Sequence, residues 1–274
     1  MSESEVKLLN SPYGEVAYES FRKLKRAFAD KSAMIKSLDD NGMTLYPVLL
    51  RPRRFGKSTF IQMLKCFYDI SYADRYEELF YKTNIYNEHL ESHNTYHVLN
   101  FDFSRVGTQS STVMYNSFFS AVAFGIDNFK RRYPDFIFNY DNLDKSDSVT
   151  LFNNFVSAYA SYSDKGRLYV MIDEYDTPIQ AGYINGFYNE AIQFIRDLFS
   201  SALKDNDNLA FGFLTGILRV AKESIFSGLN NIYVYSVLDD KFSDYFGFTD
   251  MEVKRLAHYY ALDDKLAEIK EWYD

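Results

Sequence analysis

The sequence predicts an α/β fold in which a mainly parallel sheet of about five strands lies between two layers of helices. Short apolar segments alternate along the chain with amphipathic helical patterns, and this alternation favours parallel pairing with right-handed crossovers. No internal repeat or low-complexity linker interrupts the alternation. The chain has 274 residues, of which 47% are hydrophobic, so it can form a substantial core in one large domain or two small ones.

The predicted strands are short and apolar. They comprise residues 45–50 (LYPVLL), 96–103 (YHVLNFDF), 167–172 (RLYVMI), 209–216 (LAFGFLTG) and 231–238 (NIYVYSVL). The third is the clearest candidate for a central strand, because an unbroken apolar run suits a strand that is buried on both faces. The fifth is expected at an edge of the sheet.

The predicted helices follow apolar spacings of three and four residues. They comprise residues 15–28, 32–40, 58–70, 113–133, 148–163 and 186–205, with a further helix after Thr249. Ser32 is a candidate N-cap, and Pro134 ends the fourth helix. Thr249 and Glu252 have the spacing of a capping box. The basic residues at 130–132 suit a helix C-terminus, and we prefer this interpretation to contact with nucleic acid.

Composition excludes several classes of protein. The net charge of −8 disfavours non-specific binding of nucleic acid through the overall field of the protein. The single cysteine, Cys66, cannot form a disulfide within the chain, and a buried thiol is its simplest role. The polar N-terminal segment has no signal-peptide pattern, and no apolar run is long enough to span a membrane. We therefore expect a cytoplasmic protein without a membrane anchor.

A basic loop, RPRRFGKS, follows the first predicted strand at residues 51–58. Gly56, Lys57 and Ser58 match the end of the phosphate-binding pattern G-x-x-x-x-G-K-[ST], but Arg51 replaces its first glycine. Gly56 would let the backbone approach a polyphosphate, Lys57 would reach the β- and γ-phosphates, and Ser58 would offer a hydroxyl to Mg²⁺. The alternative is a chance tripeptide in a turn, although the strand, basic loop and helix together favour a nucleotide site.

Arg51 is expected to continue the strand, because a residue before proline is restricted to extended geometry. Pro52 cannot donate to a phosphate, whereas the backbone N–H groups from Arg53 to Ser58 can. The predicted nucleotide-binding residues of this loop are therefore Arg53, Arg54, Phe55, Gly56, Lys57, Ser58 and Thr59.

An acidic pair ends the third predicted strand in the segment LYVMIDEYDTP. Asp173 is the candidate Mg²⁺ ligand together with Ser58, and Glu174 is the candidate that aligns the attacking water. The alternative is a strand that ends in a polar turn, and residues 176–178 do resemble a turn. Asp102 also ends an apolar strand but lacks a neighbouring glutamate, so we assign it an ordinary strand end with at most an outer role.

The fourth predicted strand would bring Thr215 to the same edge of the sheet, where its side chain could sense the γ-phosphate. Arg219, one helical turn later, could neutralise charge in the transition state. The equally weighted alternative for both residues is capping of a helix that begins near Ile217. The four histidines form no evident metal cage with carboxylates, and the single cysteine has no obvious base.

Five segments, taken with their order, resemble the predicted AAA-ATPase-like family of bacteria and their parasites. They are FADKS (28–32), RPRRFGKS (51–58), LYVMIDEYDTPI (168–179), FGFLTGILRVAKESIFSGLNNI (211–232) and FGFTDMEV (246–253). The resemblance extends from Phe21 to Asp274. The RPRRFGKS form is characteristic of the family, so Arg51 belongs to a variant of the loop.

The resemblance implies a P-loop ATPase with a three-layer fold of the additional-strand type, using ATP and Mg²⁺. It places Lys57 and Ser58 in the Walker A motif and Asp173 and Glu174 in the Walker B motif. It places Thr215 in the sensor region with Arg219. The catalytic residues are then expected to be Glu174, Lys57 and Arg219, with Ser58 and Asp173 at the metal.

The resemblance also implies a division of the chain, with an ATPase domain at 1–240 and a helical extension at 241–274 that begins a lid or a linker. Similar proteins often continue into a nuclease-like domain, so this chain is expected to be a fragment or a short member, and nucleic acid is expected as a partner only through such a domain. The expected function is a switch or motor for an effector, possibly as a homo-oligomer. The alternatives are a non-hydrolysing nucleotide-binding or interaction scaffold, and a phosphotransferase, for which the sequence offers no arginine-rich lid.

Overall fold

The structure is a computed structural model that describes residues 17–40, 46–107, 109–162, 167–203, 209–218, 225 and 232–273. Its centre is a sheet of five parallel strands in the order β2-β3-β4-β1-β5. The strands are β1 (Tyr46–Leu50), β2 (Tyr96–Asp102), β3 (Arg167–Asp173), β4 (Leu209–Gly216) and β5 (Ile232–Tyr235). The predicted sheet is confirmed, including the edge position of the fifth strand; the third strand is an inner strand between β2 and β4, while β4 holds the middle place.

Helices connect and flank these strands. They are α1 (Tyr18–Lys23), α2 (Ala33–Asp39), α3 (Lys57–Tyr68), α4 (Tyr76–Phe80), α5 (Ser111–Arg132), α6 (Ser148–Ala160), α7 (Thr177–Asn185), α8 (Tyr188–Leu203), α9 (Asp250–Tyr259) and α10 (Leu266–Tyr273). Short 3-10 turns at Ile70–Arg75, Ser243–Tyr245 and Asp263–Lys265 join some of them. Within the described ranges, no helix combines the length and apolar character that crossing a bilayer would need.

The sheet has helices packed on both faces. Successive residues of β3 point to opposite faces, so Val170 and Ile172 enter one hydrophobic cluster while Tyr169 and Met171 enter the other. The first cluster includes buried residues of α5, α6 and α8, and the second includes those of α3. The predicted three-layer fold is therefore confirmed.

The strand register aligns the carboxyl-terminal ends of β1, β2, β3 and β4 along one side of the sheet. Leu50 at the end of β1 lies beside Gly216 at the end of β4. Ile172 of β3 pairs with Leu214 of β4, and Asp173 pairs with Asp102 of β2. Because β4 is inserted between β1 and β3, the loop after β1 and the acidic end of β3 both border the end of β4. This arrangement is the additional-strand type that the resemblance implied.

Several predicted helix boundaries were wrong. The helix predicted over 15–28 ends at Lys23 in the structure, and Lys25 adopts a positive φ of 51°. Residues 176–178, which resembled a turn in the alternative interpretation of the acidic pair, instead lead into α7, with Pro178 in its first turn, where a missing N–H is harmless. Gly186, with φ of 83°, then separates α7 from α8.

Two predicted helix caps have different outcomes. The side chain of Ser32 does not cap α2, and its hydroxyl instead accepts a hydrogen bond from the N–H of Ile85 at 3.0 Å. The capping box before α9 is confirmed, because Thr249 accepts from the N–H of Glu252 while the Glu252 carboxylate accepts from the N–H of Thr249. The capping box fixes the start of the helix that follows the sheet.

The basic end of α5 packs against the end of α3. Arg132 closes α5 and places its Nε 3.0 Å from Oδ2 of Asp69, which is fully buried directly after α3. The hydroxyl of Tyr133 donates to the other oxygen of Asp69 at 2.5 Å. Cys66 lies buried nearby in α3, as expected, and burial raises the pKa of its thiol. The ion pair and the packing around it hold this end of the sheet together. The buried thiol of Cys66 is unreactive, because burial disfavours its thiolate form.

Candidate nucleotide-binding site

The loop between β1 and α3 forms a tight strand-to-helix turn. Gly56 directly precedes α3 and has φ of 83°, in the left-handed region. No heavy atom lies within 4 Å of the position that a Cβ of Gly56 would take. The backbone conformation therefore requires the glycine, while the space around it stays open for a ligand. The first N–H groups of α3 have no helical acceptors and can bind an anion.

Arg51 has a structural role. Its N–H donates to the carbonyl of Gly216 at 3.1 Å, so the chain continues the strand ladder for one residue, as predicted. The guanidinium is buried and donates to the carbonyls of Tyr235 at 3.1 Å and Phe242 at 3.1 Å. It also lies 5.3 Å from the ring centroid of Phe246. The guanidinium of Arg51 is therefore engaged inside the protein and is not available to a phosphate.

Lys57 is the first residue of α3 and is almost fully buried. Its Nζ donates to the carbonyls of Arg51 at 3.0 Å and Pro52 at 3.1 Å, and lies 3.9 Å from Oε1 of Glu174. Burial lowers the pKa of the ammonium, and the nearby carboxylates of Glu174 and Asp173 oppose that shift. The ammonium is thus held at the loop by neutral carbonyls, which a phosphate oxygen could replace.

Asp173 ends β3 and is only 5% exposed. Its carboxylate accepts a hydrogen bond from the hydroxyl of Thr215, and the Ser58 hydroxyl lies close enough to favour its charged form. Burial raises its pKa; the two hydroxyls oppose this shift, while repulsion from Asp102 and Glu174 adds to it. The sequence therefore correctly predicted that β1, β3 and β4 bring Ser58, Asp173 and Thr215 together.

The donors around Asp173 fit a small divalent cation. Mg²⁺ prefers oxygen ligands and binds through one or two carboxylates together with waters and phosphate oxygens. Asp173 supplies a buried carboxylate and Ser58 a hydroxyl beside it. Across the part of the chain that the structure describes, no group of three His, Cys, Asp or Glu side chains could hold a metal alone. A cation here would therefore share its coordination with a bound phosphate.

Glu174 has a strained backbone. Its φ of 55° lies in the left-handed region, which costs about 1–3 kcal/mol for a residue with a side chain and occurs most often at functional sites. Its Oε2 accepts from the hydroxyl of Thr177 at 3.0 Å, and its side chain is 17% exposed. The carboxylate thus faces Lys57 with one oxygen and is fixed by α7 through the other.

The sequence did not identify Asp176 and Thr177 as site residues, because Asp-Thr-Pro was interpreted as a turn. Thr177 begins α7 and orients Glu174, whereas Asp176 is completely buried under the end of β4. The available signal was a third acidic residue close to the end of an unbroken apolar strand. A buried position for that carboxylate requires backbone N–H partners, and the two residues after β4 supply them.

An apolar cavity of about 450 Å³ opens beside the loop. Gly56 and Thr59 border it, together with Arg54 and Phe55. Its other walls include Phe28, Phe60, Phe248 and Tyr260. The cavity offers apolar and aromatic surface next to the start of α3, where a planar base could be buried.

The remaining predicted residues have a less defined environment. Arg53 is exposed in the loop, as are Arg54 and Phe55. Arg219 lies outside the described residues. Asp102 accepts from the N–H of Ser104 at 2.9 Å, as an ordinary strand end would, and its influence on the site is the charge that it places beside Asp173.

Replacing Arg51 tests its structural role. We expect Arg51→Ala to lower the free energy of unfolding by about 2–4 kcal/mol, because it leaves buried carbonyls without a charged donor. Arg53→Ala, which removes an exposed guanidinium from the same loop, should leave stability nearly unchanged. Urea unfolding of the three proteins without nucleotide measures the difference. Equal stability of Arg51→Ala and wild type would contradict the assigned role.

Replacing Asp173 tests the cost of its buried charge. Because its folded pKa is raised, Asp173 contributes most stability below its unfolded pKa, near 3.9, and loses that contribution as pH rises through the folded pKa. We expect Asp173→Asn to unfold at a higher temperature than wild type at pH 7 without nucleotide, and the gap to close on acidification.

The control for Asp173 is Asp144, whose pKa is lowered by hydrogen bonds from Ser146. The pKa of Asp144 is shifted in the opposite direction to that of Asp173, so Asp144→Asn should not be more stable than wild type at pH 7. Thermal unfolding from pH 4 to pH 7 gives the comparison. A destabilised Asp173→Asn at pH 7 would show that the charge of Asp173 is favourable without a bound cation.

A protein family, a curated relative and two solved structures are similar to this chain. A curated relative, described as an uncharacterized protein in the vnfD 5' region of Azotobacter chroococcum mcd 1, is 26% identical over 271 residues, which cover 94% of this chain and 47% of the relative. The chain thus spans about half the length of that relative.

Solved structures give remote similarities. A structure of Drosophila ORC bound to GC-rich DNA and Cdc6 aligns with 84% of this chain and 30% of the other at 12% identity and a TM-score of 0.39. A structure of Drosophila ORC bound to poly(dA/dT) DNA and Cdc6 aligns with 93% of this chain and 33% of the other at 11% identity and a TM-score of 0.41.

The family described as Predicted AAA-ATPase matches residues 12–226, which contain the loop, the acidic end of β3 and the end of β4. The chain belongs to the predicted AAA-ATPase family.

Proposed function

We propose that the chain binds and hydrolyses ATP with Mg²⁺ and acts as a switch or motor for an effector. One observation carries the proposal: the start of α3 and the end of β3 meet at the carboxyl-terminal side of the sheet. There the Ser58 hydroxyl lies beside Asp173, and the Lys57 ammonium lies 3.9 Å from the Glu174 carboxylate. A polyphosphate-binding turn and a water-activating carboxylate are the two parts that such hydrolysis requires.

Binding would use the loop and the apolar cavity together. The N–H groups from Arg53 to Ser58 would donate to the phosphates, helped by the positive end of the α3 dipole. The cavity beside Gly56 and Thr59 would hold the adenine base against its aromatic walls. Arg53 and Arg54 would add charge from the exposed side of the loop.

The chain would hold the metal through Asp173 and Ser58. Mg²⁺ bound there would neutralise phosphate charge during transfer. Thr215 keeps the Asp173 carboxylate oriented by donating to it. The raised pKa of Asp173 reflects a buried charge that an adjoining cation would compensate.

Hydrolysis would use the residues around Lys57. Its ammonium would exchange the carbonyls of Arg51 and Pro52 for phosphate oxygens and stabilise the charge that develops on them. Glu174 would align the attacking water and accept its proton. Arg219 would stabilise the charge on the leaving group.

We also propose a division into an ATPase domain at 1–240 and a helical extension at 241–274 that acts as a lid or linker. Phe248 and Tyr260 support this proposal, because they wall the cavity at the loop. Arg51 supports it too, because its guanidinium joins β5 to Phe242. In this proposal the protein is cytoplasmic, its partner is another copy or an effector, and nucleic acid is reached only through a nuclease-like domain.

Replacing the proposed catalytic carboxylate separates hydrolysis from binding. We expect Glu174→Gln to lower kcat for ATP by about 100-fold or more, because the amide cannot accept the proton of water. The Kd for Mg-ATP should stay within about threefold, because the loop and metal ligands are unchanged. Steady-state phosphate release and equilibrium binding measure the two quantities.

The matched control is Glu190→Gln, an exposed glutamate on α8, and it should behave as wild type. Unchanged turnover in Glu174→Gln would remove Glu174 from the mechanism. Mg-ATP binding without turnover in wild type would instead favour a nucleotide-binding scaffold.

A further inference from the structure

The acidic end of β3 is joined to the end of β4 by a continuous set of hydrogen bonds. We call residues 173–176 and 215–218 together the acidic seam. The N–H of Tyr175 donates to the carbonyl of Thr215 at 3.1 Å, and the hydroxyl of Tyr175 donates to the carbonyl of Leu218 at 3.3 Å. These bonds lie just beyond the paired part of the two strands, so they extend the sheet contact into the loop that follows β4.

Asp176 supplies the strongest part of the seam. Its side chain is completely buried, and its Oδ2 accepts from the N–H groups of Ile217 at 2.9 Å and Leu218 at 2.7 Å. Gln180 of α7 donates to the same oxygen at 2.8 Å. Hydrogen bonds from N–H groups to an ionised carboxylate are about twice as strong as neutral ones. A buried charge with these partners therefore fixes the first two residues after β4.

The seam is closely fitted from the side of β4 as well. A Cβ added at Gly216 would lie 2.8 Å from Oδ1 of Asp176 and 2.8 Å from Cε1 of Tyr175. Oδ1 itself has no hydrogen-bond partner among the residues that the structure describes. The absent side chain of Gly216 thus leaves the space in which Asp176 reaches the backbone of the loop.

The seam ends at the proposed reaction centre. The hydroxyl of Thr215 donates to Asp173 and lies 3.4 Å from the N–H of Glu174, which donates to it. One hydroxyl of β4 therefore orients the proposed metal ligand and the backbone of the proposed catalytic carboxylate. A displacement of the chain after Gly216 would move that hydroxyl relative to both acids.

We propose that Asp176 is a positioning residue for hydrolysis, which holds the loop after β4 against the acidic end of β3 and so keeps Thr215 and Glu174 in register. The inference rests on the proposed function and adds a residue to it. Asp176 acts only through Thr215, Glu174 and the loop. Leu218 directly precedes Arg219 in the sequence, so the seam connects the residue before the proposed sensor arginine to the carboxylate that would activate water.

The test compares Asp176→Ala with Asp176→Asn. Alanine removes the acceptor for Ile217 and Leu218, whereas asparagine keeps one oxygen that can accept from both and nearly the same volume. We expect Asp176→Ala to lower kcat by about 10- to 100-fold, since a small misplacement of reacting groups has that effect. The Kd for Mg-ATP should stay within about threefold, and Asp176→Asn should recover most of the lost rate.

A second readout is independent of turnover. Amide hydrogen exchange at Glu174 and Tyr175 should accelerate about tenfold in Asp176→Ala, because the loop that supplies their acceptors is released. Exchange in Asp176→Asn should resemble wild type. Asp147→Ala is the matched control, since its carboxylate accepts a backbone N–H at 2.9 Å at the start of α6, far from the seam in sequence.

Gly216→Ala provides the same test without removing the carboxylate. Its added methyl group should displace Asp176 and give the same loss of kcat with retained Mg-ATP affinity, so the inference stays testable if Asp176→Ala does not fold. Unchanged kcat, unchanged exchange at Glu174 and Tyr175, or equal losses in Asp176→Asn and Asp176→Ala would each overturn it. If wild type shows no turnover, the proposed function has failed, and the exchange measurement still decides whether Asp176 positions Glu174.

Discussion

The site depends on one buried carboxylate, Asp173, at the end of the inner strand β3. Burial raises its pKa, and the hydroxyls of Thr215 and Ser58 oppose that shift but compensate a buried charge only in part. The sheet order places those hydroxyls beside it, because the loop after β1 carries Ser58 and β4 carries Thr215. The fold therefore buries a carboxylate whose charge a bound cation would stabilise. Without a cation, that buried charge lowers the stability of the folded protein.

The loop after β1 forms a tight strand-to-helix turn without the first glycine of the phosphate-binding pattern. Arg51 remains extended because Pro52 follows it, and its buried guanidinium donates to the carbonyls of Tyr235 in β5 and of Phe242. Lys57 then binds the carbonyl of the same arginine. The backbone of one residue contacts the proposed phosphate-binding lysine, while its side chain contacts the segment that leads to the C-terminal helices. Movement of Lys57 towards a phosphate would thus act on a residue that also holds that segment.

Local patterns in the sequence predicted the fold and the residues that the sheet edge gathers. Short apolar runs predicted the strands of the sheet. Ser58, Asp173 and Thr215 were predicted because each lies at or next to the start or end of a predicted strand or helix. Contacts between distant segments were not predictable in the same way. The partners of Arg51 lie 184 and 191 residues away. The cavity has walls from Phe28 to Tyr260. Asp176 and Thr177 were missed because Asp-Thr-Pro suits either a turn or a helix start, and only packing against β4 decides between them.

The central claim is that the loop binds the phosphates of ATP through Lys57. The most direct measurement is the thermal stability of wild type and Lys57→Ala with and without Mg-ATP, beside Lys145→Ala, which removes an exposed lysine. A ligand present at about a hundred times its Kd adds about 2.7 kcal/mol to the free energy of unfolding. Our account predicts that stabilisation in wild type and Lys145→Ala, and its loss in Lys57→Ala. Equal stabilisation of all three folded proteins by Mg-ATP, or of none of them, would contradict it.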